Sequence, residues 1–264
     1  MTPNRAYLSV EAWPLAWDEP RRVDAIRTLL STDAFRAKEL ARRAVPAILA
    51  RVSVEHGEKA AREMTSWGAL AACIPGPRIE AMLEPAMAKS FTRPSALFEF
   101  ETWKGPSVCV DPSRISAIVR AHARVRKGKP DGDFGVEGLH QLHGTLGAEA
   151  WDQGPTRRAR LHVVELLDIH TIDDRHVRIS GDKCGFDALG PAHAGTSREN
   201  VDALTALLAD VAGGLTVDAG FEQARFLGEF SADFGATADH KSIESFSVYS
   251  AWRACMAAAL RPRE

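Results

Sequence analysis

Alternating apolar and polar residues predict strands in three stretches of the chain. The first covers residues 6–13. In the second, 96–111, Phe98 and Phe100 alternate with glutamates before a Gly-Pro turn, which is typical of a β-hairpin. The third, 159–180, has the pattern of another hairpin. These stretches predict a modest amount of antiparallel sheet.

Apolar residues at helical spacing cover most of the remaining chain. We expect one helix to start at Asp18, capped by that side chain, and another to run from about 33 to Gly57 with a kink at Pro46. Further helices are predicted around 64–74, 79–87, 111–129, 196–213, 221–234 and 239–260. Thr196 and Glu199 have the spacing of a capping box.

Together the patterns predict an α+β fold that is helix-rich, with two short antiparallel β-hairpins that can join one sheet, flanked by N- and C-terminal helices. We expect a single domain over residues 1–264, in which the Gly- and Lys-rich stretch 127–135 is the candidate internal boundary.

Charge and composition narrow the classes of partner. The net charge of -2 gives no general attraction to nucleic acid or to an anionic membrane, so neither is an expected partner. No stretch approaches the roughly 20 apolar residues of a membrane span, and the N-terminus does not resemble a signal peptide. The four cysteines are far apart and form no CxxC, which favours reduced thiols and a cytoplasmic location.

The central block 131–195 holds six of the nine histidines. If its hairpin turns through a three-residue loop at 173–175, one face of the hairpin is wholly apolar, and burial should select that register. The opposite face then carries Asp168, His170, His176 and Arg178. His176 is expected diagonally across from His170, roughly 7 Å away.

Two imidazoles and a carboxylate at that spacing suit either a divalent metal with an open position for water or a metal-free general acid and base. The competing interpretation is an ordinary solvated face of a hairpin. His140 and His143, three residues apart, are further candidate metal ligands if they converge with His170 and His176.

Cys184 is a candidate nucleophile because glycines surround it and the adjacent Lys183 would lower its thiol pKa, with a nearby histidine as the base. A structural role for this lone cysteine is the alternative.

Basic residues cluster on the predicted helix 114–129, and Arg120, Arg124 and Lys127 fall on one of its faces. Such a face can bind phosphate or an acidic protein partner, or can simply be solvated.

Two functions therefore remain open. The first is a cytosolic enzyme, a hydrolase acting on a small-molecule substrate through Asp168, His170 and His176. The second is a non-catalytic binding or regulatory protein that engages an acidic partner through its basic helix.

Overall fold

The computed structural model describes residues 5–127, 160–224, 226–236 and 241–261. It is an α+β structure with a three-stranded antiparallel sheet and a seven-stranded mixed sheet. The predicted fold class is confirmed at this level, but the chain forms more strands than its apolar pattern predicts. The candidate boundary at 127–135 lies, from residue 128 onward, outside the described residues.

The three-stranded sheet is built from the first third of the chain, in the order β2-β1-β3. Its strands are β1 (Arg5–Ala12), β2 (Ala47–Ser53) and β3 (Leu70–Pro75). The helices that accompany it are α1 (Glu19–Leu30), α2 (Ala34–Ala41), α3 (Val54–Ser66) and the short α4 (Gly76–Glu80). The predicted first strand and the Asp18 cap, which accepts a hydrogen bond from the Arg21 amide, are confirmed.

Three of the predicted helices in this region are wrong. The stretch 79–87 contains only the end of α4, a turn and the start of a strand at Ala86. The stretch assigned to one helix from 33 to 57 divides into α2 and β2, and Gly57 lies inside α3 rather than at a helix end. The stretch 64–74 divides into the end of α3 and β3. β2 and β3 pair with β1 on either side, so strand pairing supplied by distant residues overrides the local helical spacing.

The seven-stranded sheet has the order β10-β7-β8-β9-β4-β5-β6. Its strands are β4 (Ala86–Thr92), β5 (Phe98–Thr102), β6 (Val108–Val110), β7 (Ile115–Lys127), β8 (Arg160–Thr171), β9 (His176–Ser180) and β10 (Val217–Asp218). Both predicted hairpins, β5–β6 and β8–β9, are present and belong to this one sheet.

The predicted basic helix 114–129 is wrong, because residues 115–127 form the long strand β7 paired with β8. Only a 3-10 turn, Pro112–Arg114, follows the expected Asp111 cap. Ala121, Ala123 and Val125 alternate with Arg120, His122 and Arg124, a period of two that matches the strand.

The later described ranges contain three α-helices: α5 (Ser197–Val211), α6 (Leu227–Ala232) and α7 (Ile243–Leu260). In α5 the Thr196 hydroxyl accepts from the Glu199 amide and bonds its carboxylate, so the predicted cap is confirmed. α5 covers one face of the seven-stranded sheet, packing Val201, Leu204 and Leu208 into its core.

α7 lies between the two sheets. Its Phe246, Tyr249 and Trp252 share a core with Tyr7 and Ile74 of the small sheet, and with Val119 and Leu166 of the large one. Both faces of the β8–β9 hairpin next to its turn are therefore covered, which removes the solvated face expected for it. Among the helices in the described ranges, none is long and apolar enough to cross a membrane.

Candidate functional site

The β8–β9 hairpin sets the geometry of the site. Its connection is a three-residue loop, but the loop is Ile172–Asp174 and not 173–175, and Asp174 takes a left-handed conformation with φ of 60°. That is the usual form of a three-residue hairpin loop. The register therefore differs from the expected one by two residues, and His170 pairs directly with His176 instead of diagonally.

A shift of two residues keeps every side chain on its predicted face. Ile169, Val177 and Ile179 face the core under α5, whereas Asp168, His170, His176 and Arg178 share the opposite face. That face is not exposed to solvent, because it lies beneath α7. Relative exposure is 0% for Asp168, 0% for His170, 7% for His176 and 3% for Arg178.

Asp168 and Arg178 form a two-point ion pair. Nε and Nη2 of Arg178 each donate to one carboxylate oxygen at 2.7 Å. Nη1 donates to the hydroxyl of Ser247 on α7, also at 2.7 Å, and the guanidinium lies 4.8 Å from the centre of the Phe246 ring. The arginine is thus fixed on both sides, and it fixes the carboxylate in turn.

His176 uses only one of its ring nitrogens in a hydrogen bond. Nδ1 donates to the carbonyl oxygen of Met82 at 3.0 Å, since a carbonyl can only accept. Nε2 lies 2.9 Å from Oδ2 of Asp168, which is ion-pair range, but the oxygen is off the direction of a hydrogen bond. A neutral ring protonated on Nδ1 would direct a lone pair toward a carboxylate, so the arrangement requires a cation or a proton there.

His170 shows the same division between its two nitrogens. Nε2 is 2.7 Å from Oγ of Ser250, a fully buried residue of α7. Nδ1 is buried without a hydrogen-bond partner among the described residues. The two imidazole rings stack with their centroids 4.1 Å apart.

Asp168, His170 and His176, here called the Asp/His group, could hold a metal ion. Each offers one ligand atom, and those atoms all lie within 4.8 Å of one another. Two imidazoles and a carboxylate form a donor set typical of zinc and of non-haem iron. The sequence predicted these three residues as a candidate site, and the structure brings them together.

The electrostatics of the group follow from its burial. Burial by itself would raise the pKa of Asp168, but the charges of Arg178 and His176 outweigh it and hold that pKa well below its usual value. Burial, followed by the neighbouring His176, lowers the pKa of His170 well below its usual value. His170 is therefore a neutral imidazole at neutral pH, the state in which a histidine binds metal.

The other predicted site residues have different outcomes. His140 and His143 lie outside the described residues, so their convergence with the Asp/His group stays a prediction.

Burial raises the pKa of the Cys184 thiol to about 12, opposite to the lowering expected from Lys183. A thiol with that pKa holds almost no thiolate at neutral pH, which disfavours Cys184 as a nucleophile.

The basic residues do not form a helix face. Arg120 is ion-paired with Glu165 on β8 and with Asp202 on α5, so its charge is already balanced. Arg124 is exposed on β7, and only the backbone of Lys127 is described. An acidic partner for Arg120, Arg124 and Lys127 stays a prediction, without the helix on which it was based.

Sequence reasoning missed the residues that orient the histidines and the arginine: Ser247, Ser250 and the backbone of Met82. One signal was present. Ser247 and Ser250 are three apart in the predominantly apolar helix α7, so they lie on one face of it, and buried hydroxyl groups there indicate polar partners in the core.

Comparison of the chain with protein-family models, with curated proteins and with solved structures finds no match. Functional inference for this α+β protein therefore rests on the chemistry of its own residues.

Proposed function

We propose that this protein is a metal-dependent hydrolase whose divalent metal is held by Asp168, His170 and His176. In this assignment the ligand atoms are Nδ1 of His170, Nε2 of His176 and a carboxylate oxygen of Asp168. Among the described residues neither nitrogen has a hydrogen-bond partner, whereas both carboxylate oxygens accept from Arg178.

One observation carries the proposal: within the described part of the chain, two buried imidazole nitrogens of the same three-residue group make no well-directed hydrogen bond, and one of them lies 2.9 Å from the Asp168 carboxylate. Leaving a polar atom buried and unpaired costs roughly 1–3 kcal/mol, so a ligand that pairs with both nitrogens would stabilise the group. A single cation bound between the two nitrogens and the carboxylate would satisfy all three.

The surrounding contacts support the same assignment. Metal-binding histidines usually donate their second ring N–H to a fixed acceptor, which orients the ring. Ser250 is in that position for His170 and the Met82 carbonyl for His176. Arg178 donates to both oxygens of Asp168, so a metal would share one of these oxygens with the guanidinium.

Three protein ligands leave one coordination position free, and a zinc-like metal lowers the pKa of water bound there to about 7. Such a water is a nucleophile for hydrolysis at neutral pH. The role of the chain's own residues is to hold the ligand set rigid and to exclude bulk water beneath α7.

The test is metal content by elemental mass spectrometry, on protein purified without a histidine tag or chelator and again after reconstitution with zinc, manganese or ferrous iron. We expect close to one equivalent in wild type and none in His170→Ala with His176→Ala. His193→Ala is the matched control, because His193 is exposed and is not a member of the group. Circular dichroism shows whether the double variant keeps its fold.

Protein that takes up no metal under any of these conditions would overturn the proposal and leave the Asp/His group as a buried polar network. If wild type binds metal, ester and phosphoester substrates are then screened with the metal-loaded protein. We expect turnover that is lost when the metal is removed on a chelating resin and returns when it is restored.

A further inference from the structure

A cavity of roughly 220 Å³ lies near the C-terminal end of α7. Met82 and Thr171 form part of its wall. The Met82 carbonyl accepts from His176, and Thr171 follows His170 along β8. This α7 cavity therefore shares wall residues with the immediate surroundings of the two histidines.

Cationic side chains dominate the charged lining of the α7 cavity. Arg78 of α4 and Arg261 at the end of α7 both line it, against one carboxylate, Asp174. Arg78 and Asp174 are 3.9 Å apart with side chains 49% and 71% exposed, and such a pair contributes little stability. A stronger anion can take the place of Asp174 at small cost.

The charge expected for the metal-loaded Asp/His group also favours an anionic ligand in the α7 cavity. Arg178 already neutralises Asp168, so a divalent metal in the Asp/His group would keep its full charge in a buried setting. A positively charged centre beside two arginines favours a negatively charged ligand.

We propose that the α7 cavity binds a small oxyanion, the phosphate or carboxylate of the substrate, through Arg78 and Arg261. Guanidinium groups match both oxyanions with paired hydrogen bonds. The link to catalysis rests on the proposed function, whereas binding of the anion does not require the metal.

The test is isothermal titration calorimetry of inorganic phosphate and, separately, acetate into the full chain. Metal is first removed on a chelating resin, which adds no soluble anion, and the titration is repeated on metal-loaded protein. We expect saturable binding to wild type that weakens roughly tenfold or more in Arg78→Ala with Arg261→Ala. Tighter phosphate identifies a phosphate-bearing substrate, and tighter acetate identifies a carboxylate.

Arg62→Ala is the matched control, since Arg62 is 72% exposed on α3 and does not line the cavity. It should bind as wild type does. Equal affinity in the double variant and in wild type overturns the inference, and so does the absence of saturable binding at constant ionic strength. Phosphate binding without metal uptake would support the anion site and overturn the metal proposal. Metal uptake without anion binding would support the metal proposal and overturn the anion site.

Discussion

Arg178 binds both carboxylate oxygens of Asp168 at 2.7 Å in a part of the core from which water is excluded. An ion pair of this kind is costly to break, because removing one partner leaves the other charged and buried. The β8–β9 hairpin and α7 both depend on this contact, since the same guanidinium reaches Ser247.

We predict that Arg178→Met lowers the free energy of unfolding by roughly 3–5 kcal/mol in metal-free protein. Asp168→Leu together with Arg178→Met should cost less than Arg178→Met alone, because no unpaired charge remains. Urea unfolding of both variants and of Asp168→Leu measures the difference. A double variant whose cost equals the sum of the single costs would show that the two charges do not stabilise each other.

Acid should destabilise the metal-free protein from an unusually high pH. The lowered pKa of His170 means that the unfolded chain binds a proton at about pH 6.5 while the folded chain does not. The stabilising effect of neutral His170 is thus complete above pH 6.5 and declines below it, by up to roughly 1.4 kcal/mol per pH unit. The lowered pKa of Asp168 acts in the same direction, but only below about pH 4.

Urea unfolding at pH 7.5, 6.5 and 5.5 tests this pH dependence. His170→Asn should flatten the profile between pH 6.5 and 5.5, and His193→Ala, which changes an exposed histidine, should leave the slope of wild type intact. An unchanged slope in His170→Asn would mean that another group takes up the proton.

Gly57 allows α3 to approach the small sheet. A Cβ at this position would lie 2.5 Å from Sγ of Cys73 and 2.9 Å from a methyl carbon of Val52, so Gly57→Ala forces packed atoms apart. We predict a loss of roughly 1–3 kcal/mol in unfolding free energy. Gly228→Ala in α6 is the control, because its Cβ would have no atom within 4 Å and alanine favours a helix.

The steric cause can be separated from helix propensity by a double-mutant cycle. Gly57→Ala should cost less in a Cys73→Ala background than in wild type, since the nearest clashing atom is gone. Equal costs in the two backgrounds would assign the effect to something other than the contact with Cys73.

Local sequence signals predicted the structure correctly where neighbouring residues form it. The Asp18 cap, the Thr196–Glu199 cap and the β5–β6 hairpin form as predicted, because neighbouring residues supply their hydrogen bonds and turn. The alternation in β8 and β9 also decided which residues share a face, since a strand has a period of two.

Helical spacing of apolar residues gave wrong predictions for segments that pair with strands distant in sequence. β7 contains apolar residues at both helical and strand spacing, and its pairing with β8 along the full strand selects the strand. The same holds for β2 and β3, which are completed by β1. The hydrophobic periodicity of one segment carries no information about the hydrogen bonds that a distant segment provides.

The sequence by itself predicted that Asp168, His170 and His176 share a face, because side chains alternate along a strand and burial favours the register that makes the opposite face apolar. Tertiary structure decided what that face is. α7 packs on it and excludes water, and Ser247 and Ser250 bind the polar side chains there. On a solvated hairpin face, water would form hydrogen bonds with the two imidazole nitrogens. Because α7, a helix distant in sequence, packs on this face and removes that water, the nitrogens are buried without such partners.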